Sequence, residues 1–266
     1  MVRLGEVYMR VTILVFATVL SLSASASGQD WAEYVNRDDG FRVDFPGPPT
    51  ITATTFKSEY GLDLPARVYR VVRGPERYSI TVADYTQVQK LADERAKATC
   101  PKDFPDERSC GLANAGRGYW REEIGGALLW ATYAFLNRDA RVTHLAWAWQ
   151  DLVEGHELQL TNNADRSRTF VFISMHQNRL YILEGTVPAD YPPPGLFQQS
   201  MGYVDKEGMG VRYQTVYSNR NSEYPETFPG QAARTGRGGG GGGPAGGAAP
   251  PVAPAGRGAV PPTPGR

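Results

Sequence analysis

The stretch Phe41-Arg42-Val43-Asp44-Phe45 decides the fold of this 266-residue chain. Its apolar and polar side chains alternate, which is the pattern of a β-strand with one buried face. The turn-forming sequence Arg37-Asp38-Asp39-Gly40 precedes it, and Pro46-Gly47-Pro48-Pro49 ends it. We therefore expect a short strand whose three apolar side chains enter a core that other strands help to build.

Short strand patterns recur on both sides of a helical region. Before this region they predict strands over 51–57, 66–73 and 78–85. After it they predict strands over 142–149, 156–160, 169–175 and 180–187, with a hairpin turn at His176-Gln177-Asn178-Arg179 and a further edge strand over 211–217. Strands that follow one another so closely along a chain favour antiparallel pairing.

Three segments are predicted to be helical. One is a surface helix over 87–97, and a short one spans 195–203. The longest, Tyr119–Leu136, places its apolar residues on one stripe: Trp120, Ile124, Ala127, Leu128, Ala131 and Phe135. Its Gly125 and Gly126 each weaken a helix by about 1 kcal/mol relative to Ala, so a strand over 128–136 is the competing prediction. The order of strands, helices, strands and helix predicts an α+β fold, with helices packed on an antiparallel β-sheet.

Three segments also match a known pattern. They are Asp38-Asp39-Gly40-Phe41-Arg42-Val43-Asp44-Phe45-Pro46, then Arg179-Leu180-Tyr181-Ile182-Leu183-Glu184, and Phe197-Gln198-Gln199-Ser200-Met201. They resemble the first strand, the last central strand and the closing helix of PsbP-like domains, the superfamily of the photosystem II extrinsic protein. The resemblance covers roughly residues 38–205 in element order. It implies a PsbP-like α+β fold and a binding or assembly role, and it transfers no catalytic residue.

The first 26 residues are typical of a secretory signal peptide. Arg3 and Arg10 precede an apolar run at 11–22, and Ala24-Ser25-Ala26 forms the expected cleavage site. The apolar run is shorter than the roughly 20 residues that span a bilayer. An uncleaved anchor or a buried helix is the alternative. We therefore expect a periplasmic or secreted protein whose mature chain has no transmembrane segment.

Residues 230–266 differ in composition from the rest of the chain. They are rich in Gly, Pro and Ala, contain no acidic residue, and carry four arginines: Arg234, Arg237, Arg257 and Arg266. Such a segment cannot offset the entropy of ordering its backbone, so we predict a disordered basic tail. It would serve as a spacer or envelope tether, with RNA or anionic-surface binding as the alternative.

The central part, 29–229, is predicted to be a single domain with a net charge of −5. The equal totals of 28 basic and 28 acidic residues hide this acidic character. An acidic domain argues against a nucleic-acid partner, because nucleic-acid-binding domains carry basic patches.

Cys100 and Cys110 bracket a polar, proline-containing loop. In an oxidising compartment such a pair predicts a structural disulfide, which would stabilise the fold by somewhat under about 3 kcal/mol. Two free thiols are the alternative. The spacing is not that of a Cys-x-x-Cys redox motif, and a zinc site would need further ligands close by.

The sequence lacks the common catalytic motifs. It contains no Gly-x-Ser-x-Gly elbow, no His-Glu-x-x-His helix, no phosphate-binding loop and no dinucleotide fingerprint. The acidic pairs Asp38-Asp39 and Glu122-Glu123 consist of adjacent residues, so we interpret them as solvated charges and not as acid/base pairs. We therefore predict no catalytic residue and no cofactor.

The chain has three histidines: His144, His156 and His176. If neighbouring strands align, His156 and His176 could approach each other, with Glu157 or Glu184 as a further ligand. Imidazole and carboxylate groups suit zinc. The spacing matches no local metal motif, however, so unconnected surface or half-buried histidines are the favoured interpretation.

These observations favour an exported, non-catalytic binding or accessory protein of the cell envelope. It would hold a protein partner on a sheet face or in an edge cleft. One alternative is a metal-dependent hydrolase that uses His156, His176 and Glu157. Another is a glycan-binding module, because Trp147 and Trp149 share one face of a predicted strand. We attribute most other aromatic residues to core packing. Nothing in the sequence identifies the partner or indicates an oligomeric state.

Overall fold

The computed structural model describes residues 31–99, 119–219 and 231–232. Twelve strands and three helices lie in this part of the chain. In chain order they are β1 Ala32–Asn36, β2 Phe41–Phe45, β3 Thr50–Lys57, β4 Asp63–Arg73, β5 Glu76–Asp84, α1 Val88–Thr99, α2 Tyr119–Leu136, β6 Ala140–Gln150, β7 Val153–Asn162, β8 Arg168–His176, β9 Arg179–Val187, α3 Gly195–Ser200, β10 Gly202–Val204, β11 Met209–Val211 and β12 Gln231–Ala232.

The strands form two antiparallel sheets. The larger sheet has seven strands in the order β3-β4-β5-β9-β8-β7-β6, and the smaller has five in the order β1-β2-β10-β11-β12. In the larger sheet, strands that pair with each other are also consecutive in sequence, except for β5 and β9. The predicted fold class, an antiparallel α+β fold with helices packed on a sheet, is confirmed.

The larger sheet separates two hydrophobic cores. One face packs on β2, β10 and α3, and this core contains Phe41, Val43, Phe45, Ile80 and Leu183. The other face packs on α1 and α2 through residues such as Leu158, Val171 and Ile173. Strand β8 is buried along almost its whole length because both of its faces are covered.

Strand β2 confirms the prediction made from its alternating pattern. Phe41, Val43 and Phe45 are fully buried, and the two polar residues between them are only partly covered. The turn before it requires glycine, since Gly40 has φ +68° and a Cβ there would lie 3.3 Å from the carbonyl oxygen of Val204. The hairpin turn predicted at the end of β8 is also confirmed, with positive φ at both Gln177 and Asn178.

Helix α2 is confirmed over Tyr119–Leu136, and the competing strand over 128–136 is wrong. Ala127, Ala131 and Phe135 of the predicted stripe are buried against the larger sheet. The other three stripe residues pack on the same core at its margin: Trp120, Ile124 and Leu128. None of the helices in the described part of the chain has both the length and the apolar character needed to cross a membrane.

Two predictions near the C-terminal end of the fold need correction. The helix predicted over 195–203 ends at Ser200, and Gly202–Val204 pairs with β2 instead. The edge strand predicted over 211–217 is wrong, because β11 already ends at Val211. After β11 the chain follows the β6–β7 hairpin, where the backbone of Tyr217 bonds with Leu152 and Glu154.

Three predictions fall wholly or largely outside the described residues. They are the signal peptide 1–26, the Cys100–Cys110 disulfide and the disordered tail 230–266. Within the last of these, Gln231 and Ala232 pair with β11. The predicted boundaries of the signal peptide, the 29–229 domain and the tail therefore stay predictions.

One buried carboxylate, that of Asp39, joins the two sheets. It lies in the β1–β2 turn and is only 3 % exposed. Arg67 of β4 donates to it through Nε at 2.7 Å and also through Nη2, and the Tyr69 hydroxyl donates to the same carboxylate. Tyr181 of β9 donates to the Asp39 carbonyl oxygen at 2.7 Å. Asp39 is therefore not the solvated charge that the sequence suggested, whereas its neighbour Asp38 is exposed.

Replacing this carboxylate should destabilise the fold strongly. We expect Asp39→Ala to lower the free energy of unfolding by about 3 kcal/mol, since it leaves the Tyr69 hydroxyl buried without its acceptor and breaks the Arg67 pair. Urea denaturation measures this loss. The matched control Asp38→Ala, one residue away and exposed, should change stability by less than about 0.5 kcal/mol. Equal losses for the two variants would contradict the assignment.

Candidate functional site: an apolar groove between α2 and β6

A groove of about 400 Å³ runs between helix α2 and strand β6. On one side it is lined by Leu129, Thr132, Tyr133 and Leu136 of α2. Strand β6 lines the other side. Helix α2 packs on β7, β8 and β9. The outermost strand, β6, therefore lies next to the helix and is not covered by it.

Strand β6 presents its apolar side chains toward this groove. Leu145 pairs with Leu158 of β7, and Trp147 pairs with His156. Because Leu158 belongs to the helix-side core, Leu145 and Trp147 lie on the same face as α2. A register shift between Val142 and His144 brings Val142 to this face as well, since Val142 pairs with Leu160.

Seven exposed apolar residues make up this part of the molecule, which we call the α2–β6 surface. Trp147 and Trp149 are 61 % and 55 % exposed, and Leu129 and Tyr133 reach similar fractions. Among the twelve large apolar residues that are exposed in the described part of the chain, these seven share one surface: Leu129, Tyr133, Leu136, Val142, Leu145, Trp147 and Trp149.

The aromatic side chains of the surface are held in place. The Trp147 ring packs edge-to-face on His156, with 4.6 Å between ring centroids. Tyr133 stacks on Trp130 at 6.1 Å, and the indole nitrogen of Trp130 donates to the carbonyl oxygen of Lys57 at 2.9 Å. These contacts orient the Trp147 and Tyr133 rings within the surface.

The two histidines proposed as a zinc pair do not meet. His156 lies on the helix side of the larger sheet, where its Nδ1 is 2.7 Å from Thr132 Oγ1. His176 lies on the opposite side, with Nε2 2.8 Å from the Tyr213 hydroxyl. The alternative in which these side chains converge is therefore wrong. His176 lies three positions after Ile173, the partner of His156 on β8, and an odd offset along a strand places two side chains on opposite faces of the sheet.

The remaining residues of that hypothesis are also separated. Glu157 follows His156 directly and so points to the other face of the sheet. Glu184 accepts hydrogen bonds from both terminal nitrogens of Arg138 at 2.7 and 3.1 Å. His144 is exposed on β6. Within the described residues, no three His, Cys, Asp or Glu side chains come close enough together to hold a metal ion.

The Glu122-Glu123 pair also differs from its prediction as two solvated charges. Glu122 is exposed, but Glu123 is fully buried and accepts a hydrogen bond from the Ser58 hydroxyl at 2.8 Å. Burial raises the pKa of Glu123, although the hydrogen bonds from Ser58 and Tyr60 oppose this. Glu123 lies three residues after Trp120 and four before Ala127, so helical periodicity indicates its place on the buried face, although not its Ser58 partner.

Burial also lowers the pKa of His176. The ring is enclosed by Tyr203, Tyr213 and Tyr217, with centroid distances between 4.5 and 5.7 Å. Loss of solvation, with a smaller contribution from the charge of Arg179, lowers the pKa of His176 to about 3. The folded protein therefore holds this imidazole neutral.

Stability should fall with decreasing pH because of His176. Below pH about 6.5 the unfolded chain takes up a proton that the folded state does not bind, so the free energy of unfolding decreases by up to about 1.4 kcal/mol per pH unit until the folded pKa is reached. Urea unfolding between pH 7 and 4 measures this slope. His176→Gln should reduce the slope, and the matched control His144→Gln, at an exposed site, should leave it unchanged. An identical slope in wild type and His176→Gln would contradict this account.

Comparison with known proteins gives a structural likeness but no family assignment. No protein-family model matches the chain, and no curated protein matches it in sequence. Among solved structures, it is similar to cyanobacterial PsbP (CyanoP) from Synechocystis sp. PCC 6803, with 12 % sequence identity and a TM-score of 0.37 over 68 % of this chain and 96 % of that one. These values do not assign the chain to a family, so the PsbP-like resemblance stays a prediction.

Proposed function

We propose that this protein is an exported, non-catalytic accessory protein of the cell envelope that holds a polypeptide partner at the α2–β6 surface. The observation that carries this proposal is the concentration of seven exposed apolar side chains beside the edge strand β6, which no other described strand pairs on its outer side. Export is inferred from the sequence of residues 1–26.

The size of the surface supports a protein partner. With about 150–250 Å² for a whole aromatic side chain and somewhat less for Leu and Val, the exposed fractions amount to roughly 700 Å² of apolar area. Monomeric proteins rarely expose contiguous apolar patches larger than a few hundred Å². A stable interface buries about 800 Å² on each partner. The α2–β6 surface approaches that area with its apolar side chains alone.

The edge of strand β6 favours an extended segment as the part of the partner that binds. β6 is eleven residues long and ends the larger sheet, and in the described part of the chain no strand pairs with its outer edge. An added strand would form main-chain hydrogen bonds with β6 and place every second side chain over α2. Those side chains should be apolar, because Leu145, Trp147 and Trp149 would be their neighbours.

The opposite edge of the same sheet differs in character. Strand β3 presents threonines at alternate positions, Thr50, Thr52 and Thr54, and no described helix contributes to the lining of the face that carries them. An apolar segment would gain little buried area there. The two edges of the larger sheet are therefore chemically distinct. Within residues 31–99, 119–219 and 231–232, β6 is the edge strand that lies beside an apolar groove.

Peptide selection tests this proposal directly. From a library of extended eight-residue peptides, we expect the full chain to select sequences with apolar residues at alternate positions. The double variant Trp147→Ser/Trp149→Ser should weaken binding at least about 30-fold, since each truncated aromatic hot spot costs about 2 kcal/mol or more. Titration calorimetry measures the affinities. Two further peptides should carry N-methyl groups, one at the odd-numbered and one at the even-numbered residues. One of these two peptides should lose binding, because its methyl groups replace the N–H donors that face β6.

Val72→Ser is the matched control, because Val72 is as exposed as Trp147 but lies on β4. This control should bind the selected peptides as the wild type does. Loss of binding in Val72→Ser would contradict binding by strand addition at β6. Unchanged binding of both N-methylated peptides would contradict it as well. Co-sedimentation with peptidoglycan or chitin that depends on Trp147 and Trp149 would support the glycan-binding alternative instead.

A further inference from the structure

Two polar side chains lie at the floor of the otherwise apolar groove. They are Thr132 of α2 and His156 of β7, which are 4 % and 6 % exposed. Thr132 Oγ1 lies 2.7 Å from His156 Nδ1 and 2.8 Å from the carbonyl oxygen of Leu128. This pair is the buried polar part of the groove.

The hydrogen bonds of Thr132 fix the position of the imidazole proton. A threonine hydroxyl carries one hydrogen, and the carbonyl oxygen of Leu128 can only accept. If the hydroxyl donates to Leu128, its oxygen must accept from His156, so Nδ1 carries the proton. This arrangement satisfies both contacts of Thr132 Oγ1 at once. His156 Nε2 is then an unprotonated acceptor.

No group in the described part of the chain donates to His156 Nε2. The ring lines the groove, and its Nδ1 edge is the one turned to Thr132. Burial lowers the pKa of His156, although the nearby charge of Glu154 opposes this effect. The imidazole is therefore neutral at neutral pH and offers a lone pair at the base of an apolar groove.

The groove is large enough to hold a large aromatic side chain. Its volume of about 400 Å³ lies near the lower end of the range of about 300–1,000 Å³ that is typical of ligand sites. Aromatic side chains with a polar tip, Trp and Tyr, are the usual anchors at protein interfaces. Either one can fill an apolar groove with its ring and donate through its N–H or O–H group.

We propose, on the basis of the proposed function, that the groove takes a Trp or Tyr side chain of the partner strand, whose N–H or O–H donates to His156 Nε2. His156 thereby determines specificity at this site. An anchor of the same shape without a donor would leave Nε2 buried and unpaired, which should weaken its binding about 10-fold. Thr132 is a positioning residue, since it acts only by keeping the proton on Nδ1.

Small aromatic probes test this proposal without a known partner. Indole has the ring and donor of a Trp side chain, and benzothiophene has nearly the same shape without the donor. NMR titration of the full chain should show that indole binds about 10-fold more tightly than benzothiophene, with shifts at Trp147 and His156. His156→Leu should make the two affinities equal. Thr132→Val should reduce the difference, and ring ¹⁵N shifts should show protonation moving from Nδ1 of His156 in this variant.

The outcomes separate this inference from the proposed function. Equal affinities for indole and benzothiophene in the wild type, or a preference that persists in His156→Leu with an unchanged fold by circular dichroism, would overturn the role of His156. Selected peptides that bind while neither probe shifts Trp147 would overturn the anchor site but leave strand addition intact. If neither peptides nor probes bind, both proposals are wrong.

Discussion

The fold depends on the buried carboxylate of Asp39. A tight turn carries this group away from the smaller sheet, and Arg67 and Tyr69 hold it against the larger one. Burying a charge is costly unless it is paired and hydrogen-bonded, so the two sheets have one low-energy arrangement in which Asp39 meets these donors. Apolar contacts between β2 and the larger sheet are non-directional and would tolerate sliding. The carboxylate therefore selects the register that the Phe41, Val43 and Phe45 side chains then fill.

The position of the groove follows from this arrangement. With the smaller sheet fixed on one face, the larger sheet has only its other face left for α1 and α2. One helix covers about two to three strands, and α2 lies over β7, β8 and β9. The seventh strand, β6, extends beyond the cover of the helix. Leu145 and Trp147 of β6 lie on the helix side of the sheet and are exposed to solvent. On a central strand, residues on this face are buried in the core.

The sequence predicts what depends on local periodicity and misses what depends on strand order. The alternation in β2, the stripe on α2 and the shared face of Trp147 and Trp149 are all visible in one segment at a time. The opposite placement of His156 and His176 is not, because it depends on the pairing of β7 with β8 in a particular register. Likewise, the burial of Asp39 and Glu123 beside exposed neighbours depends on partners 28 and 65 residues away. Strands β10 and β12, with three and two residues, are too short for any pattern to indicate them.

Helix α2 shows why the exposed aromatic residues are not an accident of packing. Its buried side is complete, since Ala127, Ala131 and Phe135 already fill the contact with the sheet. Leu129 and Tyr133 lie outside this contact, where polar residues would keep the helix equally stable and the protein more soluble. Instead, Tyr133 stacks on Trp130, whose indole nitrogen donates to the carbonyl oxygen of Lys57. A side chain that is already packed against a neighbour has less conformational freedom to lose on binding, so this arrangement suits a surface that a partner covers.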